Sequence, residues 1–414
     1  MNAEQHVPQF RFKGFSDSWE QRKLGEVAEF SKGNGYTKED LTENGSPIIL
    51  YGRLYTKYKA VINDVDTFVV PKDRSVISKG NEVIVPASGE TAEDISRASV
   101  VGKSGFILGG DLNVIKPDIL IDSLFLALTI SNGSQQKEMA KRAQGKSVVH
   151  LHSSDLQQIN LLYPKLKEQR KIGTFFKQLD DTITLHQRKL AKLKELKKGY
   201  LQKLFPQNSE KVPEFRFKGY SDAWEKRKLG ELMKVTSVKR VHQSDWRQEG
   251  VPFLRARDIV AINKNQKVKE PIYISRDLYE RYSEQSGRVT PGDLLVTGVG
   301  SIGIPFLIKT ESPIYFKDGN IIWFQNRTLD PAFFYFQFTG NSIQTYILST
   351  SGKGTVGTFT IATGKQTPIV FPKKTEQKLI GSTMSDLDNL IAATQCKLDL
   401  LKKLKKGYLQ KMFC

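Results

Sequence analysis

The chain has 414 residues, with 63 Lys and Arg against 44 Asp and Glu, a formal charge of +19, and 39% hydrophobic residues. That length holds two or three packed domains, and the cationic excess predicts binding to a polyanion, foremost nucleic acid, with affinity falling as salt rises. Cys396 and Cys414 make no disulfide framework, and no apolar leader or run of 18 apolar residues suggests export or a membrane span, which leaves a cytoplasmic protein as the expectation.

In chain order, "VPQFRFKGFSDSWEQRKLGEV" (7–27) opens as a basic-aromatic arm. The glycine-rich stretch "FSKGNGYTKEDL" (30–41) follows, and Lys32, Asn34, Tyr36 and Thr37 stand there as candidates for DNA contact. "SPIILYGRLYTKY" (46–58) predicts a buried strand running into an exposed segment. Its Arg53, Tyr55 and Lys57 mix hydrogen-bond donors with a stacking face, the chemistry of phosphate and base-edge contact. Short strands with glycine turns are predicted in 80–91, 98–110 and 112–117, and two short helices in 122–145 broken at Asn132-Gly133. Gly145-Lys146-Ser147 closes this stretch with a cation and a hydroxyl (Lys146, Ser147) suited to phosphate and equally to a plain turn.

The next segment, 168–205, carries two seven-residue apolar ladders. Ile172, Leu179, Leu193 and Tyr200 form one, with His186 in its missing slot; Phe176, Ile183, Leu190 and Leu204 form the other, with Lys197 in its missing slot. Their offsets of four and three define a heptad seam. A helix of roughly 38 residues is about 57 Å long, and one apolar stripe of that length needs a partner in water. Gly199 weakens it by about 1 kcal/mol relative to Ala, which leaves room for a kink or local fray near it.

The arm then returns as "VPEFRFKGYSDAWEKRKLGEL" (212–232). In the second variable stretch Lys239 and Arg240 form a basic loop. "VPFLRARDI" (251–259) takes the place of "SPIILYGRL", and the alternation of Arg255 and Arg257 predicts two forks on one side of a strand, suited to guanine, unless Asp258 pairs with one of them. Lys353 and Thr355 repeat the glycine-lysine-hydroxyl cluster. Finally the heptad helix returns, with Ile380, Leu387, Leu401 and Tyr408 on one ladder and Met384, Ile391, Leu398 and Met412 on the other. Thr394 and Lys405 take its polar slots, and Gly407 matches Gly199. "LKKGYLQK" is repeated letter for letter. One unit written twice predicts a pseudo-two-fold pair whose helices pack antiparallel.

Several catalytic signatures are nearly present. "GVGSIG" (298–303) fits a dinucleotide loop but runs into Ile304-Pro305-Phe306, a strand where a helix is required. "AQGKS" (143–147) resembles a P-loop but has Ala140 at a required glycine. "DPAF" (330–333) resembles an amino-methyltransferase pocket, yet reads better as a helix start with Asp330 capping and Pro331 in the first turn. His150 and His152 are better suited to a core or surface role than to a metal. The residues thus favour a binding protein with no catalytic or metal site of its own; a stand-alone methyltransferase or nuclease and a non-specific basic coiled-coil scaffold are the alternatives.

Two variable blocks, each opened by "W-E-x-R-K-L-G-E" and closed by a helix beginning "P-K-x-x-E-Q-x-x-I", resemble the specificity subunit of type I restriction-modification enzymes, over essentially the whole chain. The resemblance implies a mixed α/β fold. Two globular target-recognition domains (1–162 and 206–370) are separated by two long helices (163–205 and 371–414) packed as an antiparallel coiled coil. It further implies that each domain reads half of a split site in double-stranded DNA. The helices would act as spacer and docking surface for two methyltransferase subunits, joined by motor-nuclease subunits. S-adenosylmethionine, ATP and Mg would belong to those partners and none to this chain.

Overall fold

The structure, a computed structural model, describes residues 7–142, 149–207, 210–351 and 357–413. It divides into two compact units. One runs to Gln187 and resumes at Cys396; the other is Arg188–Gln395. Two helices of 38 residues, Leu166–Lys203 and Lys374–Lys411, are shared between them, so each unit holds the start of one helix and the end of the other.

Within each unit the two helical pieces run antiparallel. In the first, Phe175 packs edge-on against Tyr408 at 5.1 Å, and Asp180 pairs with Lys405 at 2.5 Å. In the second, Lys197 pairs with Asp388 at 2.6 Å, and Leu204 shares a core with Ile380 and Met384. The two lysines in the polar slots of the heptads thus meet carboxylates at matching places, and a charge pair within an apolar seam holds one register against slippage. Ile172, Phe176, Leu179, Ile183, Leu190, Ile380, Met384, Leu387 and Leu398 are buried, and Leu193, Ile391 and Leu401 half-buried. The remaining polar slots are satisfied along their own helices: Thr394 Oγ1 donates to Leu390 O, and His186 Nδ1 lies 2.9 Å from Thr182 O. No break occurs at Gly199 or Gly407. Helix continues through both, because the seam on either side stabilises it by more than a glycine costs.

The variable part of the first unit is built on a five-stranded sheet in the order Ala28–Lys32, Leu112–Pro117, Val83–Pro86, Ser99–Val101, Val61–Ile62. All its pairs are antiparallel except the last. A smaller four-stranded sheet holds Ser46–Ile49 between Ile107–Leu108 and Phe68–Val69. The second unit has an antiparallel four-stranded sheet (Lys234–Thr236, Ile321–Gln325, Leu294–Thr297, Pro305–Leu307) and a three-stranded one centred on Val251–Leu254. Helices Ser123–Asn132 and Ser134–Arg142 break at Gly133 as predicted, and Asp330 caps Pro331–Thr339 through Phe333 N–H at 3.0 Å, also as predicted.

Each variable block opens and closes on a single ladder: Glu20–Lys23 pairs with Asn160–Tyr163, and Glu225–Lys228 with Pro368–Phe371, in the same register. A core then ties block to helices. Trp19 packs on Phe125 and Phe125 on Phe413 in the first unit; Trp224 and Phe205 pack on Phe333 in the second.

The repeated "E-Q" at each helix start has a physical role. Glu168 and Glu376, both buried, accept two hydrogen bonds each from Arg11 and Arg216 of the arms. Gln169 Oε1 accepts the Asp122 N–H and Gln377 Oε1 the Asp330 N–H, both at 2.9 Å, so each glutamine grips the cap of a helix in the variable block. One turn on, Gly173 and Gly381 let that cap come close: a Cβ on Gly381 would stand 2.6 Å from Asp330 Oδ1.

Candidate nucleic-acid interface

The glycine-rich loop of the first unit is shaped by backbone packing. A Cβ on Gly33 would fall 1.9 Å from the Gly109 carbonyl oxygen, and Asn34 N–H donates to Leu108 O. Asn34 is exposed, but its amide donates to Arg74 O at 2.8 Å and its Oδ1 accepts from Gly35 N–H. Tyr36 is a correction: it is buried, its hydroxyl lies 2.5 Å from Ser75 Oγ and accepts the Lys72 N–H, so no ring face is offered to a base. Thr37 is exposed and starts a short 3-10 turn, its N–H bonded to Asp40. Lys72 pairs with Asp40, holding that carboxyl below its ordinary range, and lies over the Tyr36 ring at 4.9 Å. Lys32 ends its strand exposed.

The segment after Ser46–Ile49 is also corrected. An exposed segment was expected; Arg53–Thr56 forms a helical turn, because Arg53 N–H and Leu54 N–H bond back to Leu50 and Tyr51 carbonyls. Arg53 is largely buried and donates to Asp66 at 2.6 Å and to Asp64 O. Lys57 shares Asp66, and the two cations hold that carboxyl far below the usual carboxylate range, Lys57 contributing most. Tyr55 packs on Tyr51, and burial with that neighbour pushes its hydroxyl up to about 12.

In the second unit the strand ends at Leu254, and the expectation of two forks on one strand face fails. Arg255 is the N-cap of helix Ala256–Asn263. Its backbone N–H and side chain all bond to Asp258, which is buried. That arginine closes a helix start, as the carboxylate alternative anticipated. Arg257 is different: its side chain is exposed, 3.4 Å from Glu270. Lys239 lies over the Tyr282 ring at 4.6 Å and reaches Gln285, and Arg240 pairs with Asp318 while remaining mostly exposed. Lys146, Ser147, Lys353 and Thr355 lie outside the described residues.

Sequence reasoning passed over Lys264, Lys267 and Lys269. They are exposed in the turn after the Arg257 helix, and no ion pair involves them among the described residues. Three lysines in six residues beyond a helix C-terminus was the available signal. Arg74, also exposed, sits at the left-handed turn facing Asn34. The surface thus splits. Arg53 and Arg255 are committed inside the protein, while Lys32 at a strand end, Arg257 in the first turn of a helix, and Arg74, Lys239, Lys264, Lys267 and Lys269 are exposed, where a cation can meet phosphate oxygens or base edges. "GVGSIG" forms a turn running into strand Pro305–Leu307, and His152 begins a short helix, Ser153–Gln157. Among the described residues no cluster of His, Cys, Asp and Glu could hold a metal, and no helix is long and apolar enough to cross a membrane.

Residues 16–195 and 221–403 each match the model of the type I restriction modification DNA specificity domain. The MjaVIII type I restriction enzyme specificity subunit of Methanocaldococcus jannaschii is 22% identical over 413 residues, covering 94% of this chain and 91% of that protein. The S subunit of a type I restriction-modification system from M. genitalium superposes with a TM-score of 0.60 at 16% identity over 99% of each chain. A chain solved in work on complex assembly and conformational transition of the type I system gives 0.52 at 17% identity, over 95% of this chain and 97% of that one. At these identities the structural likeness speaks to the fold.

Proposed function

The chain belongs to the type I restriction-modification DNA specificity family, and from that premise we propose that each variable block reads one half of a bipartite duplex site. The observation that carries this is the pairing of sameness and difference. Both blocks hang on identical joints to the helices, yet the cations they expose differ in position and kind. The exposed lysines and arginines named above would supply phosphate affinity, with Arg257 the best placed fork for a base edge.

On this reading the protein does no chemistry itself. It works in the cytoplasm with two methyltransferase subunits and motor-nuclease subunits, which hold S-adenosylmethionine, ATP and Mg. The helices offer those subunits a seat: Leu185, Leu400 and Leu404 are exposed in the first unit, and Leu196, Leu379 and Leu390 in the second. The arms, repeated nearly letter for letter, offer another.

Selection from a random duplex library, with the chain co-purified with its methyltransferase subunit at physiological salt, tests the reading. A split motif with two unlike halves and a fixed gap is expected; enrichment of nothing would leave a non-specific basic scaffold. The spacer has its own test. Deleting residues 186–192 together with 394–400 removes one heptad from each helix and keeps both ion pairs, Asp180–Lys405 and Lys197–Asp388, in register. Each helix shortens by about 10 Å, so the gap should shrink by about three base pairs with both half-sites unchanged. An unaltered gap would refute the helices as a ruler.

A further inference from the structure

The repeat is broken at one place that none of the reading surfaces uses. In the first unit the arm turns at Gly14, whose φ of +96° suits glycine alone, and the turn brings Phe12 and Phe15 to one side. Opposite stands the first long helix, and between them lies a cleft of about 650 Å³. Its apolar part is Phe12, Phe15 and Phe175, all half-buried, with Phe12 edge-on to Phe175 at 5.6 Å. Its rim is Lys13, Lys167, Arg170 and Lys171, all exposed. No carboxylate lines the cleft, and no ion pair involves these four cations among the described residues. Lys171 Nζ sits 4.9 Å from the Phe12 ring and 5.4 Å from Phe15.

The second half keeps the arm's ring-lysine-ring pattern (Phe217, Lys218, Tyr220) but changes the helix. Where the first has Lys167, Lys171, Phe175 and Gln178, the second has Thr375, Leu379, Thr383 and Asp386. Two cations and one ring are lost and a carboxylate is gained. A feature of the repeated frame would occur twice; this one occurs once.

We infer that the cleft is a docking site for an acidic protein segment carrying an aromatic or aliphatic side chain, taken once per chain. Four unpaired cations with no opposing carboxylate call for a negative partner. The Phe-lined floor selects a peptide over duplex DNA, since a phosphate backbone has nothing apolar to place there and would leave the rings wet.

The probe is a fluorescein-labelled dodecapeptide alternating acidic residues with Phe and Leu, titrated into the full chain at physiological salt and read by anisotropy. Saturable binding is expected, weakened about tenfold or more in the Lys167→Glu/Lys171→Glu double variant and unchanged in Thr375→Glu/Lys378→Glu. A peptide with Ser in place of Phe and Leu should bind more weakly. Absence of saturable binding overturns the proposal, as does equal loss in both variants. Full displacement by a short duplex, with loss of DNA affinity in the first variant, would instead make the cleft a phosphate-binding face. Half-site selection by the first variant separates this outcome from the family reading, because it should select the same bipartite motif as the unaltered chain.

Discussion

The two units can be set side by side residue against residue. Where block meets helix they agree: Arg11–Glu168 and Arg216–Glu376 at 2.7 Å, Gln169 and Gln377 on the same cap, tryptophans 19 and 224 in the same core position. Away from that seam they part: a five-stranded sheet in one and a four-stranded sheet in the other, a glycine-packed loop in one and a lysine-rich turn in the other. Sameness includes the buried polar joints, where one altered group strands its partner in a low dielectric. Difference is greatest in the variable blocks, above all in their exposed loops, where a substitution costs little folding energy.

The widest expected effect comes from breaking a joint. Glu376→Gln leaves Arg216, largely buried, without its carboxylate, and should lower unfolding stability by about 3–5 kcal/mol. The equivalent Glu168→Gln should cost a similar amount, measured by urea unfolding of each variant. If the two differ greatly, the units are less alike in energy than in geometry.

Glycines in the long helices sharpen the same contrast within one element. Gly381→Ala places a methyl 2.6 Å from Asp330 Oδ1 and 2.8 Å from Phe333 N, so the cap must shift at about 1–3 kcal/mol. Gly173→Ala meets its nearest atom at 3.3 Å and should cost less. Gly407→Ala meets nothing within 4 Å and should stabilise by up to about 1 kcal/mol. Thermal unfolding of the three ranks them.

On DNA, Arg257→Ala should cost about 1–3 kcal/mol at one half-site only, if it reads a base. Lys267→Ala should weaken all sequences alike and reduce the salt slope by about 1. Arg255→Ala, by contrast, should appear as lost folding stability, since its partner Asp258 is buried. Binding isotherms beside unfolding curves separate the three.

The smallest effect is at acid pH. Asp66 is held below its ordinary 3.8 by Lys57 and then Arg53, so its contribution to stability is whole above 3.8 and is lost as pH falls below that toward its lowered folded value. Asp66→Asn should flatten the fall of the urea midpoint in that window.

The helices, their seam, both arms and the cap at Asp330 were legible because each is set by neighbours a few residues away. The reading faces were not. Whether Arg53 or Arg240 is free depends on Asp66 and Asp318, brought in by the fold from 13 and 78 residues away. Arg255 was misread although its signal was local: an aspartate three residues on closes a helix start, and that pattern outranks strand alternation. Tyr36 was misread because burial of an aromatic in a glycine-rich loop requires the second loop, 72–75, to cover it.

One ladder in each unit has a wider meaning. Since Glu20–Lys23 lies beside Asn160–Tyr163, and Glu225–Lys228 beside Pro368–Phe371, each block leaves the frame where it joins it. In topological terms it is an insertion whose ends touch, so its length does not set the register of the helices; it must keep only the cap and ring that they hold, Asp122 and Phe125 or Asp330 and Phe333. A different insert grafted between the same two strands would leave the register ion pairs and the opposite block undisturbed. The chain is then a two-socket adaptor, able to change half of what it recognises in a single exchange.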